Sequence, residues 1–160
     1  MDINKAFTIL MEQEGTATTL TSNDRGGLTK FGIAQASHPG LDIANLTQDK
    51  AIEIYTKEYW TAASCPNLKP ELQYMHFSCS VNCGVISAIK ILQRACRVKD
   101  DGVVGKETLT ASLQLSIQDY AIEWALHYKK IIEDDPTQKV FQEGWNNRIN
   151  YILKLNESSQ

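Results

Sequence analysis

The chain has 160 residues, of which 42% are hydrophobic and 22% charged. These values are typical of soluble globular proteins and exclude a disordered or fibrous chain. The length is sufficient for one domain, or for one domain with a small helical appendage. The formal net charge of −3 offers no long-range attraction to nucleic acid or to an anionic membrane, so we expect neither as a partner.

The N-terminal residues 1–5 lack the positively charged and apolar regions of a signal peptide. No apolar run approaches the roughly 18 residues that a membrane-spanning helix requires. The sequence therefore predicts a protein made in the cytoplasm without a signal peptide, and any work outside the cytoplasm requires a separate route of export or release.

The four cysteines allow three interpretations. They are few for a chain of this length, whereas disulfide frameworks are typical of shorter secreted chains. Free, buried thiols are therefore the favoured interpretation, and one disulfide formed after export is an alternative. A zinc site from His76, Cys79, Cys83 and Cys96 is the weakest interpretation, because the sequence has no Cys-x2-Cys pair.

Helical signals begin close to the N-terminus. Apolar residues at helical spacing predict a first helix from about Asn4 to Glu14, which Gly15 can cap. The following stretch, 16–27, is rich in Thr, Ser, Asn and Gly and predicts a loop or a short irregular hairpin. Leu28 to Ile33 has mild strand character.

The remainder of the chain is predominantly helical by pattern. Thr47 is a suitable N-cap for a helix that runs to about Trp60, and Gly84 ends a later helix. Asp101-Gly102 indicates a tight turn, and Pro136 interrupts a long helix. A last helix, about 137–155, is predicted to bury the following side chains: Val140, Phe141, Trp145, Ile149 and Ile152. The pattern predicts a mainly α fold with at most one small β-hairpin.

The glycine-rich segment after the first helix contains the residue types that glycosidic cleavage requires. Glu14 ends the helix, and a second carboxylate, Asp24, and a hydroxyl, Thr29, follow. Glycosidases use one protonated carboxyl group as the acid and one ionised carboxylate as base or nucleophile. Gly26 and Gly27 permit a tight backbone that can approach a sugar ring. From these residues alone, a surface Glu14 and a turn-forming Asp24 remain the more ordinary interpretation.

Two blocks of the segment match a family signature: Glu14-Gly15, and Asp24-Arg25-Gly26-Gly27-Leu28-Thr29-Lys30-Phe31-Gly32-Ile33. The similarity continues, in order, through Leu46-Thr47, Ala51-Ile52, Ile54-Tyr55, Tyr59-Trp60, Val81-Asn82-Cys83-Gly84, Leu92-Gln93-Arg94-Ala95, Asp101-Gly102-Val103-Val104-Gly105, Thr108-Leu109, Phe141, Gly144-Trp145 and Arg148. On these residues the chain resembles glycoside hydrolase family 108, joined to the helical peptidoglycan-binding module that usually accompanies it.

The resemblance implies an N-acetylmuramidase with a lysozyme-like helical fold and no cofactor or metal. Such enzymes cut the β-1,4 bond between N-acetylmuramic acid and N-acetylglucosamine, and phage endolysins and secretion-associated muramidases are among them. It further implies a catalytic part at 1–85 and a peptidoglycan-binding part at 86–160, packed as one unit in a monomer. A lytic transglycosylase and a non-catalytic peptidoglycan-binding protein remain alternatives.

The resemblance also suggests roles for individual residues. The family's essential glutamate aligns with Glu14 rather than Glu12, because the glycine follows Glu14. By analogy with phage-type lysozymes, Asp24 holds the attacking water and Thr29 orients it. The candidates for substrate contacts are Gly26, Gly27, Phe31, Tyr59 and Asn82.

Each of the larger substrate-contact candidates also has a structural interpretation. Phe31 suits a groove or the core, and Tyr59 lies on a helix where a core role is more common. Asn82, at a helix end, suits an acetamido group or a neighbouring backbone group. Two departures from the family pattern are Thr16-Ala17 in place of a glycine and an aromatic residue, and Ser78 in place of an aspartate.

Overall fold

The computed structural model describes residues 1–15, 20–23 and 27–158, with the backbone alone at 21–23. The described chain forms seven α-helices: α1 (Ile3–Glu14), α2 (Gln48–Tyr55), α3 (Pro70–Cys83), α4 (Val85–Ala95), α5 (Lys106–Ser112), α6 (Ile117–Asp134) and α7 (Gln142–Glu157). Three short strands, β1 (Thr21–Asn23), β2 (Gly27–Lys30) and β3 (Ile33–Ala34), form one antiparallel sheet. The predicted mainly α fold is confirmed.

The chain divides into two compact units, Met1–Glu58 and Tyr59–Gln160, called here the N-terminal and the C-terminal unit.

Helix α1 has capping groups at both ends. The Asp2 side chain accepts a hydrogen bond from the Lys5 backbone N–H at 2.9 Å, which satisfies one of the free donors of the first turn. At the other end Gly15 adopts a φ of 70°, and its N–H donates to the Met11 carbonyl. The helix buries one stripe of apolar side chains: Ala6, Phe7, Leu10 and Met11. The predicted helix ended at the same residue, Glu14.

The sheet has the order β1-β2-β3, with β2 in the centre. Lys30 pairs with Ile33, so Phe31 and Gly32 form a two-residue turn between β2 and β3. Both turn residues have positive φ, 53° and 74°, as expected for a type I′ hairpin turn. The strand-like residues predicted at 28–33 are therefore split by a turn, which adds a third strand to the small sheet.

An aromatic cluster joins this turn to the helices of the N-terminal unit. The ring of Phe7 on α1 lies 6.1 Å from that of Phe31 and 5.5 Å, edge-on, from that of Tyr55 on α2. The Tyr55 hydroxyl donates to the Phe31 carbonyl at 2.9 Å. The cluster thus fixes α1, the β2–β3 turn and α2 against one another.

Helix α2 starts as the sequence predicts. The Thr47 side chain caps it by accepting a hydrogen bond from the Lys50 N–H at 3.2 Å. A π-helical turn, Thr56–Thr61, continues α2, so that the helical segment extends one residue beyond the predicted end at Trp60.

Helix α3 is the central helix of the C-terminal unit. All nine residues from Leu72 to Ser80 are buried, so the helix has no solvent-facing stripe over this stretch. Helices α4, α6 and α7 contact it. None of the helices in the described ranges is long and apolar enough to cross a membrane.

The buried side chain of Gln93 on α4 organises the Asp101-Gly102 turn. Its amide nitrogen donates to Asp101 Oδ1 at 2.9 Å and to the Val103 carbonyl at 3.0 Å. Its amide oxygen accepts from the Gly102 N–H at 2.9 Å. The turn that the Asp-Gly pair predicted is thus held by a glutamine eight residues earlier.

The predicted burial of Val140 and Phe141 is wrong. Val140 is 80% exposed and Phe141 52% exposed, whereas Ile149 and Ile152 on α7 are buried. The cause is a 3-10 helix at Pro136–Phe141, which precedes α7. Because a 3-10 helix has three residues per turn, the apolar stripe of the following α-helix does not extend back into it.

A substitution at Gly32 tests the role of the turn. A Cβ atom there would lie 2.6 Å from the Tyr55 hydroxyl oxygen, in a residue whose φ is 74°. We expect Gly32→Ala to lower the free energy of unfolding by roughly 2–5 kcal/mol, from the strained backbone and the displaced hydrogen bond. Gly40→Ala is the matched control, because Gly40 has no positive φ and a Cβ atom there would meet nothing within 4 Å. Urea denaturation of both variants measures the effect, and equal stability would refute the proposed role of the turn.

Candidate active site

Glu14 is the last residue of α1 and its side chain is exposed. The Gly15 cap ends the helix directly after it, so the chain changes direction at this carboxylate. Because Phe7 fixes α1 against the sheet turn and α2, the position of the helix end is set by the aromatic cluster. The structure therefore places Glu14 at a defined, solvent-accessible point of the N-terminal unit.

Gly27 and Thr29 lie on the central strand of the same unit. Thr29 pairs with Thr21 on one side and Ala34 on the other, and its side chain is half-buried. Gly27 is exposed and has a φ of 68°. A Cβ atom there would meet the Gln35 Cβ at an ordinary 3.6 Å. The glycine is thus favoured by its backbone conformation rather than by lack of space.

Asp24 and Gly26 lie outside the described residues, in the stretch of chain between β1 and β2. The same holds for Thr16 and Ala17, the two residues that depart from the family pattern near Glu14. Of the predicted catalytic residues, the structure places Glu14 and Thr29 in one unit. The position of Asp24 stays a prediction.

The three remaining candidates for substrate contact lie in different surroundings. Phe31 is only 7% exposed and packs on Phe7, which favours the core among its two interpretations. Tyr59 is half-buried in the π-helical turn. Asn82 is exposed near the end of α3, and its amide oxygen accepts a hydrogen bond from the Tyr128 hydroxyl. Tyr59 and Asn82 belong to the C-terminal unit, and their roles in binding stay predictions.

A groove of about 320 Å³ lies on the N-terminal unit. Phe7 and Met11 provide its apolar part, and Thr8, Glu12 and Gln48 provide polar groups. The sequence patterns did not identify Thr8 or Gln48 as groove residues. The available signal was the helical spacing of Thr8, Glu12 and Gly15, which places these three residues on one face of α1 and its C-terminal cap. Glu14 is not among the residues that line the groove. The assignment of the acid to Glu14 therefore depends on the motif and the helix end, and Glu12 is the carboxylate that must be tested beside it.

His76 is fully buried and unsuited to the zinc site that the sequence left open. Its Nε2–H donates to the Ala63 carbonyl at 2.9 Å, and its Nδ1 accepts from the Tyr120 hydroxyl at 2.7 Å. Both ring nitrogens are thereby used. No group of three or more His, Cys, Asp or Glu side chains in the described part of the chain is arranged to hold a metal ion.

The four cysteines are free thiols. Burial raises the pKa of Cys65 to about 12 and that of Cys96 to about 11. Burial also raises the pKa of Cys79. The pKa of Cys83 is lowered by a hydrogen bond with Cys79 and, to a smaller extent, by a hydrogen bond with His127. These thiols lie in the C-terminal unit, and none is close in sequence to the Glu14 segment.

Ser78, which departs from the family pattern, contacts α7. It is buried on α3, and Arg148 Nη1 donates to its hydroxyl oxygen at 3.4 Å. The position is thus part of the contact between two helices of the C-terminal unit.

Two family models match successive parts of the chain. Residues 7–84 match the family model of Glycosyl hydrolase 108, and residues 87–150 match that of a Predicted Peptidoglycan domain. The chain therefore carries a glycosyl hydrolase 108 domain followed by a peptidoglycan domain, as the resemblance implied. Together the two domains make it a peptidoglycan-directed glycoside hydrolase.

The whole fold is similar to that of a solved structure, SagA of Brucella abortus. The TM-score is 0.76 at 21% sequence identity, and the alignment covers 98% of this chain and 96% of that one. This similarity confirms the predicted lysozyme-like, mainly α fold. The comparison with curated proteins gives no significant match.

The burial of His76 makes the free energy of unfolding depend on pH. Burial lowers the pKa of His76 from 6.5 to about 4. Between these values the unfolded chain binds a proton that the folded protein does not, so stability falls as the pH falls. We expect a loss of about 3 kcal/mol in the free energy of unfolding between pH 6.5 and 4, with no further loss from this group at lower pH.

The measurement is urea denaturation from pH 4 to 7.5, compared between the wild type and His76→Gln. Carboxylates contribute equally to both proteins, so the difference between their slopes reports His76 alone. Parallel slopes would show that His76 is protonated in the folded state as readily as in the unfolded chain.

Proposed function

We propose that this protein is an N-acetylmuramidase of the lysozyme type, which hydrolyses the β-1,4 bond between N-acetylmuramic acid and N-acetylglucosamine in peptidoglycan. The observation that supports the proposal most is the position of Glu14-Gly15. A glutamate ends α1, is exposed there, and lies within the glycosyl hydrolase 108 segment, in a unit that also holds Gly27 and Thr29.

Glu14 acts as the general acid in this proposal. Its carboxyl group donates a proton to the oxygen of the leaving sugar as the bond to the anomeric carbon breaks. Asp24 remains ionised and either activates water or stabilises the oxocarbenium-like centre. Thr29 orients the water, whose oxygen bonds to the anomeric carbon while its released proton passes to Asp24 or back to the Glu14 carboxylate. The acid–base pair is sufficient for hydrolysis, so the mechanism requires no cofactor.

Glycine backbone and a few side chains bind the sugars. Gly26 and Gly27 allow the chain to approach a sugar ring, and Tyr59 and Asn82 are further candidates for substrate contacts. We assign catalysis to 1–85 and attachment to peptidoglycan to 86–160. The enzyme acts as a monomer on the cell wall, after export or release from the cytoplasm, and its bacteriolytic action is that of an endolysin or a secretion-associated muramidase.

Two other functions are consistent with the same family. A lytic transglycosylase also uses one acidic residue, but it closes an anhydro ring on the muramic acid instead of adding water. A non-catalytic peptidoglycan-binding protein is the alternative from another class. The Asp101-Gly102 region and Thr16-Ala17, which follows Glu14-Gly15 in the sequence, are the features that favour it. The three functions differ in the sugar ends that they produce.

Replacement of Glu14 tests the acid directly. Glu14→Gln keeps the shape of the side chain but cannot deliver a proton, so we expect lysis of purified peptidoglycan to slow by at least about 100-fold with the fold intact. Glu12→Gln is the comparison, because Glu12 is a second carboxylate on α1, two residues away. Turbidity of a sacculus suspension gives the rates, and circular dichroism checks the fold. An active Glu14→Gln together with an inactive Glu12→Gln would assign the acid to Glu12.

Replacement of Asp24 tests the second carboxylate. We expect Asp24→Asn to reduce the rate strongly, though less than Glu14→Gln does, because the amide cannot activate water or stabilise positive charge. The anomeric configuration of the wild-type product defines the role: inversion indicates a base and retention a nucleophile. Full activity in Asp24→Asn would leave Glu14 as a lone acid.

A further inference from the structure

A second groove, of about 400 Å³, lies on the C-terminal unit between the end of α4, α5 and α6. Two arginines, two carboxylates and two aliphatic side chains are among the residues that line it: Arg94, Arg97, Leu115, Asp119, Ile122 and Glu123. It lies wholly within the segment that matches the peptidoglycan domain. The catalytic proposal uses none of these residues.

The charges of this α4–α6 groove are of both signs. Arg94 is half-buried and pairs with Asp100 at 3.3 Å and with Glu123 at 3.8 Å. Arg97 is exposed and forms no ion pair within the described residues. The Asp119 carboxylate accepts a hydrogen bond from the Ser116 hydroxyl. A ligand that carries both a carboxylate and an amine therefore matches the groove better than an anion or a cation alone.

The apolar part of the groove suits small aliphatic groups. Ile122 on α6 is 57% exposed, whereas Leu115 is buried. None of the residues that line the groove is aromatic. Aromatic rings are the side chains that commonly pack on the faces of sugars, so this lining favours a peptide over a glycan strand.

We propose that the α4–α6 groove binds the stem peptide of peptidoglycan. A peptide carboxylate pairs with Arg97, the side-chain amine of the diamino acid pairs with Asp119 or Glu123, and alanine methyl groups contact Ile122. The inference depends on peptidoglycan being the substrate, as proposed above. It adds that the second domain recognises the peptide, so that the enzyme favours strands whose stems are intact.

The backbone conformation of Arg97 permits a substitution that removes the positive charge. Arg97 has a φ of 58°, a conformation that asparagine adopts more readily than most other residues. Arg97→Asn therefore removes the cation without adding backbone strain. Lys99→Asn is the matched control, because Lys99 is an exposed cation two residues away that does not line the groove.

The probe is a synthetic, fluorescently labelled pentapeptide, L-Ala-γ-D-Glu-meso-diaminopimelyl-D-Ala-D-Ala, titrated against the full chain. We expect Arg97→Asn to weaken binding by about tenfold, as for the loss of one charge-assisted hydrogen bond. Acetylation of the diaminopimelyl amine should weaken binding to a similar extent. Lys99→Asn should bind within about twofold of the wild type. Thermal unfolding of both variants verifies the fold.

Three outcomes would overturn the inference: no binding of the peptide to the wild type at millimolar concentration, equal binding by Arg97→Asn, or equal weakening by Lys99→Asn. An oligomer of N-acetylglucosamine is titrated in parallel. If Arg97→Asn, but not Lys99→Asn, loses binding of this oligomer, the groove is assigned to the glycan instead. Binding of the free peptide requires no bond cleavage. Peptide binding without hydrolysis of sacculi would therefore refute the proposed function only, and hydrolysis without peptide binding would refute this inference only.

Discussion

The hydrogen bond from the Tyr55 hydroxyl to the Phe31 carbonyl stabilises a turn on which the N-terminal unit depends. It joins α2 to a two-residue turn in which both φ angles are positive. The ring of Phe7 on α1 packs on the rings of Phe31 and Tyr55. Gly32 is required beside it, because a Cβ atom there would lie only 2.6 Å from the hydroxyl oxygen. Through this contact the end of α1, with Glu14, and strand β2, with Thr29, are held in one unit.

Periodicity predicted the helices well because most of them bury a single apolar stripe. The caps at Gly15 and Thr47 defined helix ends for the same local reasons that the structure shows. The turn at Phe31-Gly32 was not predictable, since Leu28 to Ile33 has the residue types of a continuous strand and the turn is stabilised by a tyrosine 24 residues later. Val140 and Phe141 were misjudged because a 3-10 helix cannot be distinguished from the start of α7 by apolar residues alone.

The candidate site was predictable where a motif encodes it. Glu14 and Gly27 were proposed from residue order, and the structure places both in the N-terminal unit, with a φ of 68° that favours glycine at position 27. Their roles in the site stay predictions. What the sequence could not reveal depends on tertiary contacts. Phe31 is buried by Phe7, Asn82 is engaged by Tyr128, and Gln48 reaches a groove beside Glu12 from another helix. The charged groove in the peptidoglycan domain likewise combines residues from three helices.

The central claim is that Glu14 acts as the general acid in the hydrolysis of the β-1,4 bond at the anomeric carbon of N-acetylmuramic acid. Mass spectrometry of the fragments released from purified sacculi tests this most directly, because each alternative leaves a different end. The proposal predicts fragments with reducing N-acetylmuramic acid ends that incorporate one oxygen from ¹⁸O-labelled water. Anhydro-muramic ends without labelled oxygen, or sacculi that remain uncut, would contradict it.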